Sequence, residues 1–567
     1  MKQPRSSSRP PLVGDLFHRF RTNSLRSDLL GGATTAVISL PLALAFGVAS
    51  GAGAAAGIYG AVIVGLFAAI FGGTRTLISE PTGPMTVIMT AVVTSMIAQD
   101  PEHGLSAAFA VVIVAGLTQI LFGVLRLGKY ITLMPYSVIS GFMSGIGILL
   151  ILMQLAPLLG QAPPPGGSIG VLTELPRILS GILWQEALLS GIALLCLFAV
   201  PKKVRRTVPP HLIALLLGTL VAVLFFADSD LRRIGEIPMG LPSFNFPSFS
   251  LLQLSTIMVD GIILGVLGCI DTLLTAMIAD SLTRDQHDSD RELFGQGIAN
   301  TVAGFFGGLP GAGATMGTVV NIQIGARSPI AAVVRSIILL SVLLAIAPYL
   351  ANVPLAVLAA IAFKVGLDIL DWSFLKRAHR VSLTATSIMY GVMAITVLVD
   401  LLVAVGLGVF IANILTIEKL SRFQSSGIRA MDTSDAELPL SDEEKTLFQK
   451  ANGKVVLLHL SGPMIFGVAK AISREQSAVK NARVLILDLT EVPFLSTTVL
   501  LALENVILDA LNRRLPVFVA TSGGETKGRL ERLELTDAAG AVFVETRLQA
   551  LQQALVALED KSAIPCP

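Results

Sequence analysis

Between residues 27 and 420 the chain alternates long apolar runs with short polar loops. A helix that crosses the hydrocarbon core of a membrane needs about 20 apolar residues. The pattern therefore predicts an α-helical polytopic membrane protein with 14 segments, of which the third and tenth are too short to cross as plain helices. The segments lie near 29–48, 55–72, 82–97, 106–125, 130–157, 186–200, 210–227, 258–280, 290–307, 314–325, 329–350, 353–370, 382–399 and 401–417.

Two of these segments open on stretches that break helices. Ser79–Thr86 reads SEPTGPMT, and Gly308–Asn321 reads GLPGAGATMGTVVN. Proline and glycine make poor helix interior, so we expect irregular backbone until helices start near Thr82 and Thr315. Irregular backbone at membrane depth is tolerated where it lines a cavity. Matched interruptions in the two halves of a chain indicate a transporter binding site, and here they favour a seven-plus-seven inverted repeat.

The ends of these two helices supply the chemistry of an anion site. A helix N-terminus offers free N–H donors and about half a positive charge, so two facing N-termini attract an anion without a fixed cation. We expect Thr82, Thr86 and Thr315 to add hydroxyl donors. The alternative is that glycine and proline here only permit close packing or kinks, as they do in many membrane helices. The matched pair favours the binding site.

Asp271 is the second feature, because it lies inside the apolar run from Gly261 to Ile278. A carboxylate there costs roughly 2.5–3.5 kcal/mol on insertion scales, so a partner must compensate it. Thr275 follows one helical turn later on the same face, and Gly313 and Thr315 can add oxygen ligands. Such an all-oxygen set suits sodium, which is our first interpretation. A proton carried by Asp271 is the second, and a structural pair with Arg335 or Lys364 is the third.

Composition and charge agree with a membrane protein. The 567 residues are 53% hydrophobic and 14% charged, with a mean hydropathy of +0.75, which excludes an ordinary soluble domain. Lysine and arginine favour alternate loops, which predicts that both termini are cytoplasmic and that residues 1–26 form a cytoplasmic tail. The protein is expected in the plasma (inner) membrane. No nucleophile elbow or metal-ligand spacing occurs in the sequence, so we do not expect an enzyme.

The composition changes after Leu420. Residues 421–450 are polar and acidic and predict a linker. From 451 to 567, strand-like runs alternate with helical patterns, which predicts a small α/β domain on the cytoplasmic side. The predicted strands are 455–460, 484–487, 516–520 and 542–544, and the predicted helices are 497–512, 526–533 and 547–558.

At these motifs the chain resembles the SulP family of anion transporters, whose apolar domain is followed by a cytoplasmic STAS domain. Within that family it is most similar to the cyanobacterial sodium-dependent bicarbonate transporters. The matching stretches include LISEPTGPMTV (77–87), LGCIDTLLT (267–275), GAGATMGTVVNIQ (311–323) and LSGPMIFGVAKAI (460–472).

The resemblance implies a fold, ligands and partners. The membrane domain would comprise a core that moves against a gate, and the chain would form a homodimer through STAS. A sodium site is implied at Asp271, Thr275, Gly313 and Thr315. A bicarbonate site is implied between Thr82 and Ala314, with neighbouring backbone amides that include Gly83 and Thr315.

The sequence departs from the wider family at two places. Many members have glutamine after the proline of the first segment, whereas Pro41 is followed here by Leu42, which favours a small anion. The regulatory Asp-Ser-Thr-Gly pattern of STAS domains is replaced by STTV at 496–499. Regulation by phosphorylation is therefore not expected from that pattern, although Thr497 carries a hydroxyl.

Three other functions remain open on the sequence. The first alternative is a proton-coupled carrier of sulfate or a dicarboxylate, in which Asp271 takes the proton. The second is a chloride channel or an uncoupled exchanger. The third is a membrane anchor for a STAS signalling module that binds a nucleotide or a partner protein.

Overall fold

The structure is a computed structural model of the 567-residue chain. The chain divides into two compact units, Met1–Val409 and Phe410–Pro567. The residues described are 24–131, 135–201, Val204, 208–227, 229–235, Ile237, 240–399, 401–425, 428–431, 440–464, Ile472, 482–531 and 540–559.

Each predicted membrane segment coincides with a helix, and we label these helices α1 to α14. Their bounds are Leu25–Ala49 (α1), Ala54–Phe71 (α2), Gly83–Gln99 (α3), Gly104–Val124 (α4), Tyr136–Leu158 (α5), Trp184–Ala199 (α6), Pro210–Phe225 (α7), Leu254–Thr283 (α8), Ser289–Phe305 (α9), Thr315–Ile324 (α10), Ile330–Leu350 (α11), Leu355–Ile369 (α12), Leu383–Leu398 (α13) and Leu401–Ser425 (α14). Shorter helical turns are Gly128–Ile131, Gly167–Thr173, Leu175–Ser180, Leu251–Gln253 and Trp372–Val381.

The number of membrane crossings is a separate question from the number of helices. Among the described residues, six helices are long and apolar enough to cross a membrane. They are Leu25–Ala49, Ala54–Phe71, Gly104–Val124, Tyr136–Leu158, Leu251–Thr283 and Ile330–Leu350. The polytopic character is confirmed, while the count of fourteen crossings stays a prediction.

The membrane helices pack as two groups. The first group is α1–α4 with α8–α11, and the second contains α5–α7, α12 and α13. Small residues allow the close approaches within each group. Gly147 of α5 and Gly366 of α12 face each other, and a Cβ on Gly147 would lie 2.7 Å from the Gly366 carbonyl oxygen. The groups meet where α3 touches α5 and α12 and where α1 touches α7 and α12.

The two predicted breaks pair with each other as short antiparallel strands. β1 (Ser79–Glu80) precedes α3, and β2 (Ala312–Gly313) precedes α10. Ser79 is opposite Gly313, and the Ala314 N–H extends the pairing by donating to the Ile78 carbonyl at 2.8 Å. The pairing satisfies backbone groups that a helix would otherwise satisfy, and it brings the starts of α3 and α10 together.

The C-terminal unit contains a five-stranded sheet with helices on it. Four parallel strands follow one antiparallel edge strand, in the order β3-β4-β5-β6-β7. The strands are Ile428–Met431 (β3), Val455–Ser461 (β4), Val484–Glu491 (β5), Val517–Ala520 (β6) and Ala541–Val544 (β7). The helices are Asp442–Lys450, Thr497–Asn512, Gly524–Glu531 and Arg547–Glu559.

The predicted α/β alternation is confirmed in this unit, with two elements that the pattern did not predict. β3 and the helix Asp442–Lys450 both lie within the predicted linker 421–450. β3 forms because Ile428 and Met431 are buried in the domain's hydrophobic clusters. The helix begins at a capping box in which Ser441 and Glu444 bond each other's backbone N–H groups.

Candidate ion-binding site

Three of the four predicted cation ligands, Thr275, Gly313 and Thr315, come together where α8 passes β2. The Thr275 hydroxyl donates to the Gly313 carbonyl at 2.7 Å and lies 2.9 Å from the Thr315 hydroxyl. Thr272, one residue after Asp271, accepts a bond from the Gly313 N–H at 3.2 Å. This turn of α8 therefore bonds both the N–H and the carbonyl of Gly313 in β2.

Asp271 is 5% exposed and has a threonine as its partner. Its Oδ2 accepts a hydrogen bond from the Thr82 hydroxyl at 2.8 Å. The third interpretation, a structural pair, receives no support within the described residues, because Arg335 pairs with Glu80 and Lys364 pairs with Asp368. A buried carboxylate without a fixed cation, one helical turn before Thr275 and its oxygen partners, offers oxygen donors of the kind that a hard monovalent cation prefers.

Thr82 occupies the N-cap position of α3, yet its side chain does not cap the helix. An N-cap threonine normally bonds an N–H group of the first turn. Here the hydroxyl is given to Asp271. The first amides of α3 therefore keep their donors for a ligand, except at Pro84, which has none.

The start of α10 is also uncapped by its N-cap side chain, because that residue is Ala314. Ala314 is 8% exposed, whereas Thr315 at the first helical position is exposed. Thus α10 leaves the amides of its first turn unbonded within the helix and exposes a hydroxyl beside them. α10 ends at Gly325, whose positive φ of 98° suits glycine.

Thr86 does not join the site as predicted. Its hydroxyl donates to the Thr82 carbonyl at 2.8 Å, one turn back in α3. This bond forms because a buried threonine inside a helix can use the carbonyl four residues earlier. Of Thr82 and Thr86, Thr82 alone donates its hydroxyl to Asp271.

Gly83 lies against the second helix group. A Cβ placed on Gly83 would be 2.4 Å from Cδ1 of Ile369 and 3.6 Å from Cδ2 of Leu150. Any other residue at this position would force the Ile369 side chain to move. Apolar groups of α5 and α12 thus cover the start of α3 beside Thr82.

A buried polar network holds the α10 break, and the sequence interpretation missed it. The Gly311 N–H donates to Oδ1 of Asn300 at 2.8 Å, and the Gly311 carbonyl accepts from the amides of Asn300 and Gln296 at 2.9 Å each. The two amides are four residues apart in apolar α9, where such side chains need partners. That spacing could have identified them from the sequence.

Arg335 fixes the β1 side of the breaks. It is 0% exposed, and its guanidinium donates to the Glu80 carboxylate and to the Ser79 carbonyl at 3.2 Å. It also donates to the Ser39 hydroxyl at 2.9 Å and to the Ala61 carbonyl at 3.3 Å. One side chain of α11 therefore ties β1 to α1 and α2.

A cavity of about 550 Å³ lies at the C-terminal ends of α2 and α8, away from Asp271. Its lining includes Arg75, Arg284 and Arg327 together with Asp280 and Asp288. Arginines and carboxylates alternate around it, so its charge does not favour an anion over a cation. The candidate ion site is therefore assigned from the geometry around Asp271 and not from this cavity.

Most of the chain matches known protein families. The profile of the sulfate permease family matches residues 25–392, and that of the STAS domain matches residues 449–547. The chain is 54% identical to "Bicarbonate transporter BicA" of Synechocystis over 544 residues, which is 96% of each protein. It is 31% identical to "Putative sulfate transporter YvdB" of Bacillus subtilis over 498 residues, covering 87% of this chain and 90% of that protein.

Solved structures resemble the chain as well. The transmembrane domain of a cyanobacterial bicarbonate transporter BicA has 58% identity and a TM-score of 0.66, covering 68% of this chain and 99% of that structure. Murine Slc26a9 in its inward-facing state has a TM-score of 0.81 at 18% identity, covering 98% and 96%. The second likeness shows the fold alone.

Proposed function

We propose that the chain moves bicarbonate inward together with sodium. It belongs to the sulfate permease family and carries a STAS domain. The resemblance to SulP transporters is confirmed by the family match, and so is the fold class. Bicarbonate as the anion rests on relatives that bear that substrate in their names and share 54% of this sequence. A transporter is proposed here rather than an enzyme.

The observation that carries the proposal is the bond between Thr82 and Asp271. The two residues belong to the two predicted sites, and they touch at 2.8 Å. On one side of this bond lie the oxygens of Thr275, Gly313 and Thr315, and on the other lies the uncapped start of α3. The arrangement supports adjacent cation and anion sites.

Charge explains why the two ions would move together. An anion near Thr82 is repelled by the ionised Asp271 unless a cation neutralises the carboxylate. Sodium and bicarbonate therefore each strengthen binding of the other. Moving one negative charge inward against about 100 mV costs roughly 2.3 kcal/mol, and one sodium per bicarbonate cancels that term. The proposed stoichiometry is therefore one to one.

The anion would be bound by the start of α3 and the start of α10. Thr82, Gly83, Ala314 and Thr315 are the proposed ligands. The N–H groups of Gly83 and Thr315 and the threonine hydroxyls would donate to the anion, while Ala314, whose N–H donates to the Ile78 carbonyl, would contact it without a hydrogen bond. Sodium would be held by Asp271, Thr275, Gly313 and Thr315. The apolar cover of Ile369 and Leu150 over Gly83 favours a small anion over a bulky one.

We further propose a plasma-membrane location with both termini in the cytoplasm and a homodimer formed through STAS. The topology rests on the predicted distribution of lysine and arginine. The dimer rests on the family resemblance. Cross-linking of the full chain in its own membrane would test the dimer.

The test of function is uptake of labelled bicarbonate into proteoliposomes with and without an inward sodium gradient. We expect sodium-dependent uptake that sulfate and fumarate do not inhibit. Uptake driven by a proton gradient and blocked by sulfate would instead assign Asp271 a proton. That second candidate is favoured by the 31% identity to a putative sulfate transporter.

A further inference from the structure

We infer that the Thr82 hydroxyl couples the two sites by changing its hydrogen-bond acceptor. It donates to Asp271 when the cation site is empty, and it donates to the anion when sodium occupies that site. This inference rests on the proposed sodium-coupled transport. It adds the contribution of one hydrogen atom of one side chain to the coupling that charge neutralisation supplies.

The first step of the argument is that a threonine hydroxyl has a single hydrogen to donate. In the structure that hydrogen goes to Oδ2 of Asp271 at 2.8 Å. While it does so, the hydroxyl cannot donate to an anion. A neighbouring anion would meet the lone pairs of Oγ1, which repel it. The empty cation site therefore disfavours anion binding at Thr82.

The second step concerns what changes when a cation arrives. A cation beside Asp271 neutralises the carboxylate and makes it a weaker hydrogen-bond acceptor. The hydroxyl hydrogen can then rotate about the Cβ–Oγ1 bond without any movement of heavy atoms. The lone pairs of Oγ1 then point towards the cation and the hydroxyl hydrogen points towards the anion. The Thr82 hydroxyl therefore favours both ions at once.

The third step is that nothing in α3 competes for this hydroxyl. Thr82 is at the N-cap, but its side chain makes no capping bond. Thr86, one turn later, is also buried, but its hydroxyl donates to the Thr82 carbonyl at 2.8 Å. The chain thus contains a matched control for Thr82 on the same helix.

The test measures binding rather than transport. Binding of radiolabelled sodium to the purified full-length protein in detergent would be titrated with and without saturating bicarbonate. The ratio of the two sodium affinities is the coupling factor, which typically lies between about 5 and 150 where sites are coupled. We expect a factor in that range for the wild type and for Thr82→Ser, which keeps the hydroxyl.

Removal of the hydroxyl should weaken coupling while leaving sodium bound. In Thr82→Val we expect the factor to fall well below that of the wild type, to what charge neutralisation alone supplies, and in Thr86→Val we expect the wild-type factor. Thr82→Ala is the second variant should valine prevent folding. A merely structural Thr82 would weaken sodium binding equally with and without bicarbonate, which leaves the factor unchanged.

Two results would overturn the inference, and they are distinguishable. A wild-type coupling factor in Thr82→Val, or its loss in Thr82→Ser, would refute the hydroxyl switch while sodium-coupled transport stands. Absence of sodium binding by the wild type would overturn the proposed function, and the inference with it.

Discussion

Glu80 and Asp271 are two carboxylates buried beside the same pair of backbone breaks, yet they are stabilised in opposite ways. Glu80 is 4% exposed and pairs with the buried guanidinium of Arg335. Asp271 is 5% exposed, and its hydrogen-bond partner among the described residues is the neutral Thr82 hydroxyl. A buried charge needs compensation in either case. Glu80 has a permanent cation, whereas Asp271 is placed to take an exchangeable one.

The difference separates a structural charge from a proposed functional charge beside the same pair of breaks. The Arg335 guanidinium also bonds the Ser79 carbonyl, so the cation of Glu80 is part of the scaffold that holds β1. Asp271 lies on α8 one turn before Thr275, whose hydroxyl contacts the Gly313 carbonyl and the Thr315 hydroxyl. Of these two carboxylates, the one with a fixed cation belongs to the scaffold, and the other belongs to the proposed site.

The largest effect is expected from removing the cation of Glu80. Arg335→Met leaves the Glu80 carboxylate buried without its cation, and breaking a buried pair in this way costs about 3–5 kcal/mol. We expect a much lower yield and thermal midpoint for the purified protein. The double variant Glu80→Gln/Arg335→Met should recover part of the loss. An unchanged midpoint in Arg335→Met would remove the contrast between the two carboxylates.

The second prediction concerns Asp271. Asp271→Asn removes a charge that has no fixed cation, so the protein should fold with a midpoint close to that of the wild type in sodium-free buffer. Sodium at 100 times its Kd should stabilise the wild type by about 2.7 kcal/mol and leave the variant unchanged. Sodium-stimulated uptake should also be lost.

Asp368→Asn is the control for that prediction. Asp368 is exposed and pairs with Lys364 on the same helix, so its loss should leave sodium stabilisation intact. A sodium-induced shift of wild-type size in Asp271→Asn would show that the cation binds elsewhere.

Asp488 extends the comparison to a carboxylate outside the membrane. It is 0% exposed and bonds His459 at 2.8 Å and the Thr490 hydroxyl at 2.6 Å. Burial raises the pKa of Asp488, but the hydrogen bonds from His459 and Thr490 outweigh burial and hold the pKa below its ordinary value. Like Glu80, it has fixed partners.

The third prediction follows from that lowered pKa. Stability from the ionised Asp488 is present above the unfolded-state pKa of about 3.9 and is lost as the pH falls through the lower folded-state value. At neutral pH, Asp488→Asn should lower the opening free energy of β5 amides by about 1–3 kcal/mol, as measured by hydrogen exchange on the full chain. Acidification should reduce this difference. A difference that grows towards low pH would contradict the assignment.

Local pattern was enough to predict much of the fold. Apolar length placed a helix at each predicted segment, and proline and glycine located both breaks. Asp271 and Thr275 could be paired because four residues make one helical turn. These predictions worked because each depends on residues that are neighbours in sequence.

What the sequence could not supply were contacts between distant residues. Thr82 and Asp271 are separated by 189 positions, and Glu80 and Arg335 by 255. Arg335 was therefore available as a partner for either acid until the fold assigned it to Glu80. Thr86 was predicted as an anion ligand because the sequence shows that it carries a hydroxyl. The sequence does not show that this hydroxyl donates to the Thr82 carbonyl.

The smallest effect is expected at Gly83, where the start of α3 contacts Ile369 and Leu150 of the second helix group. Gly83→Ala places a methyl 2.4 Å from Cδ1 of Ile369, the far end of a flexible side chain. Overpacking of this kind costs about 1 kcal/mol of stability at its low end. The same free energy added to the barrier for uptake would lower kcat/KM about fivefold.

Ile369→Val removes Cδ1, the atom that the new methyl would meet, and so provides the rescue. The double variant should regain most of the uptake that Gly83→Ala loses, because the two effects are coupled through one contact. Additive losses would show that α12 does not touch the start of α3 during transport. Recovery would show that the start of α3, which bonds Asp271 through Thr82, contacts Ile369 of α12.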